Sequence, residues 1–307
     1  MQPMTDRNLF PDWPDAAASR RNFERAASTA GSVDALAREV ERRMLERLQF
    51  VRLNPARVID LGCGHGKGVG LLRERYAKAH VVGIDAAHSM LAMAQGRVAA
   101  PRRLLDRITG RASGWVCGDF EHIPFAAGSF GLAWSNLAFS WAEDPPVLFQ
   151  ELHRVMRSGG LLMFSTYGPD TLRELRRAFA AADSHPHTHR FVDMHDLGDM
   201  LVASGFATPV MDMEELTLTF ENFEALARDL RLSGQSNATR GRSRALLGRR
   251  AYTRMREAYE SARHEGRLPS TVEIIYGHAW RGEPRVTKDG RSVIQLEFAD
   301  RGKRREG

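Results

Sequence analysis

The chain has 307 residues, 43% hydrophobic and 27% charged, which suits one large α/β domain with additions and excludes a disordered chain. Its net charge is +6, yet Arg228 to Arg256 alone holds nine arginines against Asp229, so a local basic patch sits on a mildly acidic body. No apolar run reaches the ~20 residues of a membrane span and no basic-then-apolar leader opens the sequence. Two cysteines, Cys63 and Cys117, cannot build a disulfide framework, so a cytoplasmic address is expected.

In chain order, the spacing of Leu36, Val40, Met44, Leu45 and Leu48 predicts an amphipathic helix from Asp34 to Leu48. Arg57 to Leu61 reads as a short buried strand, followed by Gly62-Cys63-Gly64-His65-Gly66 and a helix through Leu72. His80 to Ile84 is a second strand ending in Asp85, and Ser89 can cap a third helix. Pro101 to Gly114 is basic and loop-like; Trp115 to Cys117 is a third strand ending at Gly118-Asp119. Phe130 to Trp134 is a fourth, with Ser135-Asn136-Leu137 at its end. Pro145 and Pro146 suit the first turn of a helix that Gly159-Gly160 stops, before a fifth strand from Leu161 to Thr166. Strands and helices alternating in this way predict a doubly wound, parallel α/β sheet. Beyond it are expected a helix from about Asp170 to Ala182, a His-rich loop from His185 to Arg190, a helix ending near Gly205 and a strand pair around Val210 to Phe220. Two Arg-rich helices and a last strand, Val272 to Tyr276, follow. Pro284 to Gly307 is expected to be a poorly ordered basic tail in which Val293 to Phe298 could pair as an edge strand.

A strand running into Asp60-Leu61-Gly62-x-Gly64-x-Gly66 and then a helix is the signature of a site for an adenine cofactor. The glycines permit a tight turn and a close approach of backbone amides to a ligand. No Lys-Ser/Thr follows to cradle phosphates. Asp85 can accept from two ribose hydroxyls, and Asp119 from an adenine amino group. His185, His187 and His189 alternate without a second ligand group, so a metal is not expected.

These residues resemble the class I S-adenosylmethionine-dependent methyltransferases, over Val58 to Thr166. The resemblance implies a Rossmann-like, doubly wound α/β fold, mostly parallel with an antiparallel last strand, and S-adenosyl-L-methionine as cofactor. It places Asp60, Gly62, Gly64 and Gly66 at the methionine end, Asp85 at the ribose, Asp119 and Phe120 at the adenine, and Asn136 at the end of the fourth strand. It also implies a lid segment at 1–33, a methyltransferase domain at 34–283 with a substrate-side helical insertion near 170–265, and a tail at 284–307.

Longer stretches are similar to one subgroup, the malonyl-acyl-carrier-protein O-methyltransferases of biotin synthesis. They are Phe23-Glu24-Arg25-Ala26-Ala27, Trp134 to Ala138, Trp141, His187-Thr188-His189-Arg190-Phe191, and Leu268-Pro269-Ser270-Thr271 with Tyr276-Gly277. Where that family usually has a tyrosine, this chain has Ala30. The block Asp229 to Ala238 is also similar to assembly factors that hydroxylate an arginine on a methyltransferase-like fold. Arg190, immediately before Phe191, favours the first subgroup, because a malonyl carboxylate needs a cationic partner and a guanidinium substrate would be repelled by one.

Under that resemblance the acceptor is the free carboxylate of a malonyl group on acyl carrier protein. It is already ionised at neutral pH, so catalysis rests on positioning and exclusion of water. Arg190 is the expected catalytic residue, gripping the carboxylate; the alternative is a surface pairing with Asp193 or Asp196. Trp134, Phe139 and Trp141 could supply a dry wall. Arg240, Arg242, Arg244, Arg249, Arg250 and Arg254 could dock the acidic carrier protein. With only Tyr252 and Tyr259 as aromatic platforms near the patch, neither nucleic acid nor membrane is expected as a partner, and a monomer is the expected unit.

Overall fold

The structure, a computed structural model, describes residues 13–97 and 114–282; nearly all of the expected 101–114 loop and the whole tail from Pro284, with its Val293–Phe298 strand, lie outside them. Seven strands form one sheet: β1 (Arg57–Leu61), β2 (His80–Asp85), β3 (Gly114–Cys117), β4 (Phe130–Asn136), β5 (Met156–Tyr167), β6 (Phe206–Phe220) and β7 (Leu268–Arg281). Their order is β3-β2-β1-β4-β5-β7-β6. The pairs among β1 to β5 are parallel, while β7 runs antiparallel to both β5 and β6.

Alternating side chains along the inner strands feed two cores. Ile59, Leu61, Val82, Ile84 and Phe164 pack on one face against α5 (Pro145–Val155) and α7 (Met194–Ala203). Val58, Val81, Leu132, Trp134 and Met163 pack on the other, against α2 (Ala35–Leu48) and α3 (Lys67–Arg75). Burial on both faces explains the near-continuous apolar runs of the parallel strands. Each fully buried side chain, such as Leu72 or Phe149, contributes about 1.5–3 kcal/mol. Helix α5 starts sharply because Asp144 accepts the Val147 N–H at 3.3 Å and prolines fill its first turn.

Three expectations are corrected. The strand pair around Val210 to Phe220 is one 15-residue edge strand starting at Phe206, with a register shift between Ala207 and Val210. Thr208 sits there at φ +46, and Pro209 lacks an N–H for the ladder. The last strand is longer than Val272 to Tyr276, spanning Leu268 to Arg281. Gly159-Gly160 does not end the preceding helix; the helix stops at Val155, and Gly159 turns at φ +70 inside β5.

Two further layers cover the carboxyl ends of the parallel strands. Helices α6 (Arg173–Ala180), α8 (Phe223–Leu232) and α9 (Arg249–Glu260) share a separate small core of Leu175, Leu226, Met255, Tyr259 and Leu268. Helix α1 (Ala16–Ala26) lays Ala26, with the following Ala27 and Ala30, on Ala87 and on Met90 of α4 (His88–Arg97). Among the described residues no helix is long and apolar enough to cross a membrane.

Candidate active site

A cavity of about 610 Å³ lies at the carboxyl ends of the parallel strands, where the sheet order reverses between β1 and β4. Ligands of doubly wound sheets bind in that crevice. One half is walled by the loop after β1. Gly64 sits there at φ +48, and a Cβ on it would meet no atom within 4 Å, so the glycine opens onto the cavity. Asp85 braces this loop: its Oδ2 accepts the Gly64 N–H at 2.8 Å and its Oδ1 the Ala87 N–H at 2.8 Å. Burial, with the nearby Glu24 carboxylate, pushes the Asp85 carboxyl up to about 6 against the pull of those two bonds. Asp119 and Phe120 line the same half, with Asp119 Oδ1 accepting the Glu121 N–H at 2.8 Å. At the end of β4, Asn136 ties the wall together, donating to Ala37 O at 2.9 Å and accepting from Ser165 Oγ at 2.9 Å. Leu137 follows at φ +56, a strained turn of the kind found at binding sites.

The other half is roofed by α1, α6, α8 and the segment from His187 to Phe191. Phe23 meets Trp141 edge-on at 5.0 Å, and Trp141 meets His189 at 4.5 Å; all three line the cavity. The adjacent Glu24 accepts the N–H groups of His88 and Ser89 at 2.7 and 2.9 Å, which pins α1 to the start of α4. Tyr167 donates to Gln235 Oε1 at 3.2 Å, and His187 stacks on Phe179 at 3.9 Å while bonding Asp183 at 2.9 Å. His189 is 6% exposed, and its Nε2 accepts the Ala238 N–H at 3.0 Å. Burial and the charge of Arg242 hold its pKa down to about 4. The ring is therefore neutral at physiological pH with its proton on Nδ1.

Residues 59–164 match a family described as a methyltransferase domain. The chain is 48% identical over 287 residues to the malonyl-[acyl-carrier protein] O-methyltransferase of Laribacter hongkongensis, covering 92% of this chain and 96% of that one. It is 48% identical over 284 residues to the enzyme of the same name from Gallionella capsiferriformans, covering 92% and 97%. The chain belongs to the malonyl-[acyl-carrier protein] O-methyltransferase family. Among solved structures, the YcgJ protein from Bacillus subtilis superposes with a TM-score of 0.56 at 15% identity, covering 80% of this chain and 99% of that one, a likeness of fold. The relatives named here support the methyltransferase reading of the sequence rather than the arginine-hydroxylating one.

Within this O-methyltransferase, the first half of the cavity fits S-adenosylmethionine. Gly64 leaves the space a ligand needs, while Asp85 and Asp119 offer acceptors for hydroxyl and amino groups. Of the cofactor residues expected from sequence, Gly62, Gly64, Asp85, Asp119, Phe120 and Asn136 line the cavity. Asp60 and Gly66 do not. Asp60 is 3% exposed beneath the loop, next to Glu41; a Cβ on Gly68 would lie 2.6 Å from Asp60 Oδ2 and 2.8 Å from Glu41 Oε1. Burial and the neighbouring carboxylates raise the Asp60 pKa, and burial raises that of Glu41 to about 7, so this pair supports the loop from below. Gly66 faces Trp115, whose ring would lie 2.3 Å from an added Cβ.

Arg190, the expected catalytic residue, is not among the residues that line the main cavity. His187, His189 and Phe191 reach the main cavity, but Arg190 is exposed and lines a separate outer hollow with Trp13 and Asp193. Ala30, where the family usually has tyrosine, lines the cavity and leaves room there. Glu121, Tyr167, Gln235 and Asn237 also line it and were not expected from sequence. Each lies outside the strand, glycine-loop and strand-end pattern that marks the cofactor residues, so that pattern does not single it out.

Cofactor affinity should fall as pH drops through about 6. Hydroxyl donors favour the ionised carboxylate of Asp85, whose ordinary value is raised here, so its contribution is complete above that pH and lost below it. Asp85→Asn should remove the pH dependence and weaken binding by ~1–3 kcal/mol at neutral pH. Calorimetry of cofactor binding across the acid range checks this; a flat wild-type profile would dismiss the role.

Proposed function

We propose that this chain transfers a methyl group from S-adenosylmethionine to the free carboxylate of a malonyl thioester on acyl carrier protein, at the early step of biotin synthesis that the family resemblance implies. The observation that carries this reading is the cavity itself: an acidic cofactor wall continues into a chamber lined by Phe23, Trp141, Phe191 and the neutral ring of His189. A malonyl carboxylate is ionised at neutral pH, so no general base is required of the protein. When bound, S-adenosylmethionine would supply an electrophilic methyl whose bond to sulfur breaks as the bond to the carboxylate oxygen forms, leaving S-adenosylhomocysteine with a neutral sulfur and requiring no proton transfer. The protein's own work is positioning and desolvation. Phe23, Trp141, Phe191 and Leu137 exclude water from the chamber. His189 Nδ1–H is the donor that holds one carboxylate oxygen. A neutral donor leaves the second oxygen nucleophilic, where a bidentate guanidinium would compete for both. Two unpaired cysteines, one of them buried, favour a reducing, cytoplasmic setting.

The test is methyl transfer from labelled cofactor to malonyl carrier protein. His189→Phe should lower kcat/KM on the order of 100-fold without changing cofactor affinity, and His189→Gln, which keeps a donor, should recover part of it. Arg190→Ala should stay within about threefold of wild type, the usual range for an exposed, unpaired charge. A large loss at Arg190 with none at His189 would return the carboxylate to the guanidinium. Absence of transfer to any malonyl thioester would reject the function.

A further inference from the structure

The mouth of the cavity is marked by residues that line it yet stay exposed: Ala17 and Arg20 on α1, Cys117 at the end of β3, and Asp119 just past it. The segment 238–242 lies against the start of α1. Asp15 N–H donates to Ala238 O at 2.8 Å, Arg240 N–H to Trp13 O at 2.9 Å, and the Arg242 guanidinium pairs with Asp15 at 3.3 Å. Arg240 also reaches Glu143, a cavity residue, at 3.5 Å. The front of the basic patch is thus tied to the wall within a helical turn of the mouth.

These ties divide six of the nine arginines of the patch, those expected to dock a carrier protein, into two kinds. Arg240 and Arg242 anchor the segment, and Arg254 donates to the carbonyls of Ala181 and Ala182, just beyond α6, at 3.0 and 2.8 Å. They are structural. Arg244, Arg249 and Arg250 are exposed, and their guanidinium groups make no hydrogen bond or ion pair among the described residues. Between them stands Leu246, 98% exposed. Arg249 and Arg250 open α9, whose first turn holds no acid. A helix N-terminus is already positive, so their placement opposes the dipole and gains the helix nothing. Their charge adds instead to an outward positive field.

We propose that Arg244, Arg249 and Arg250, grouped in sequence around Leu246 in the stretch that follows this anchored segment, dock the acidic face of the carrier protein whose thioester arm enters the cavity. The assignment rests on the malonyl-carrier reading above. Carrier proteins are strongly acidic, and an exposed positive face that continues a segment anchored to the cavity wall supplies charge complementarity. Leu246 gives the contact an apolar centre, while the arginines raise the rate of encounter.

The test uses the full chain with Arg244, Arg249 and Arg250 all changed to Glu. At low salt the KM for malonyl carrier protein should rise at least about tenfold, and the difference should shrink toward ~0.5 M salt as the Debye length falls to a few ångströms. Turnover of malonyl-coenzyme A, which has the arm but no acidic protein, should be unchanged, which also reports that the variant is folded. Binding of unloaded holo carrier protein, followed by fluorescence anisotropy, should weaken in parallel. Leu246→Asp should weaken it as well. Equal loss with both substrates, or loss with neither, overturns the dock. If the wild type methylates neither substrate, the functional reading fails, and the anisotropy series still decides the dock.

Discussion

Gly64→Val should abolish cofactor binding while leaving a cooperatively folded protein. The position has φ +48, and a Cβ there would meet no protein atom within 4 Å. The fold therefore loses only the cost of a left-handed side chain, about 1–2 kcal/mol. The space that the isopropyl group enters is the cavity. Gly66→Val, two residues on, should do the opposite. Its Cβ would lie 2.3 Å from Trp115 and 3.0 Å from the Ala94 Cβ, so it strikes the packing between the loop, β3 and α4. Overpacking of this kind costs at least about 1–3 kcal/mol, to which the positive φ adds. Thermal unfolding and cofactor calorimetry on both variants separate the two effects. If Gly64→Val binds cofactor normally, the loop is a turn and nothing more.

The difference between these two glycines shows how far local pattern reaches. The strand, glycine loop, Asp85 and Asp119 are legible because the chemistry sits at strand ends, and each strand end is marked within a few residues. Which of three glycines meets the ligand is not legible, because Trp115 and Ala138 arrive from distant parts of the chain to fill the space beside Gly66 and Gly62. The same limit explains Arg190. In a segment without regular structure, the facing of each side chain is set by what packs on it. Here the Ala238 N–H captures His189 and turns it inward, while Arg190 is left to solvent. Likewise, Asp60 belongs to the motif but is buried with Glu41 of α2, a neighbour 19 positions earlier that no spacing rule connects to it. The long edge strand β6 was obscured by Pro209 near its start, although its alternating burial is what a one-sided strand requires.

A malonyl thioester should bind this cavity weakly until a cation enters it. Asp85, Asp119, Glu121 and Asp229 line the cavity, and Arg20, exposed at the mouth, is the one arginine or lysine among the described lining residues. His189 adds no charge, since its pKa is held near 4. Two like charges 4–8 Å apart repel by about 2–4 kcal/mol at the effective dielectric of such sites. A carboxylate substrate thus meets a negative chamber, and the positive sulfur of the cofactor is the charge that offsets it. Binding of malonyl-coenzyme A should consequently be at least about tenfold tighter with sinefungin, which carries a protonated amine, than with S-adenosylhomocysteine, whose sulfur is neutral. Glu121 offers an internal check. Burial, with Asp119 and Glu143 nearby, pushes its carboxyl up to about 7, so it is close to half protonated at neutral pH. An arriving anion should drive further proton uptake there, visible as a buffer-dependent heat in calorimetry, and Glu121→Gln should remove that heat. It should also narrow the gap between the two analogues by relieving part of the repulsion. Equal malonyl-coenzyme A affinity with both analogues would mean that the acidic wall lies too far from the acceptor to govern the order of binding.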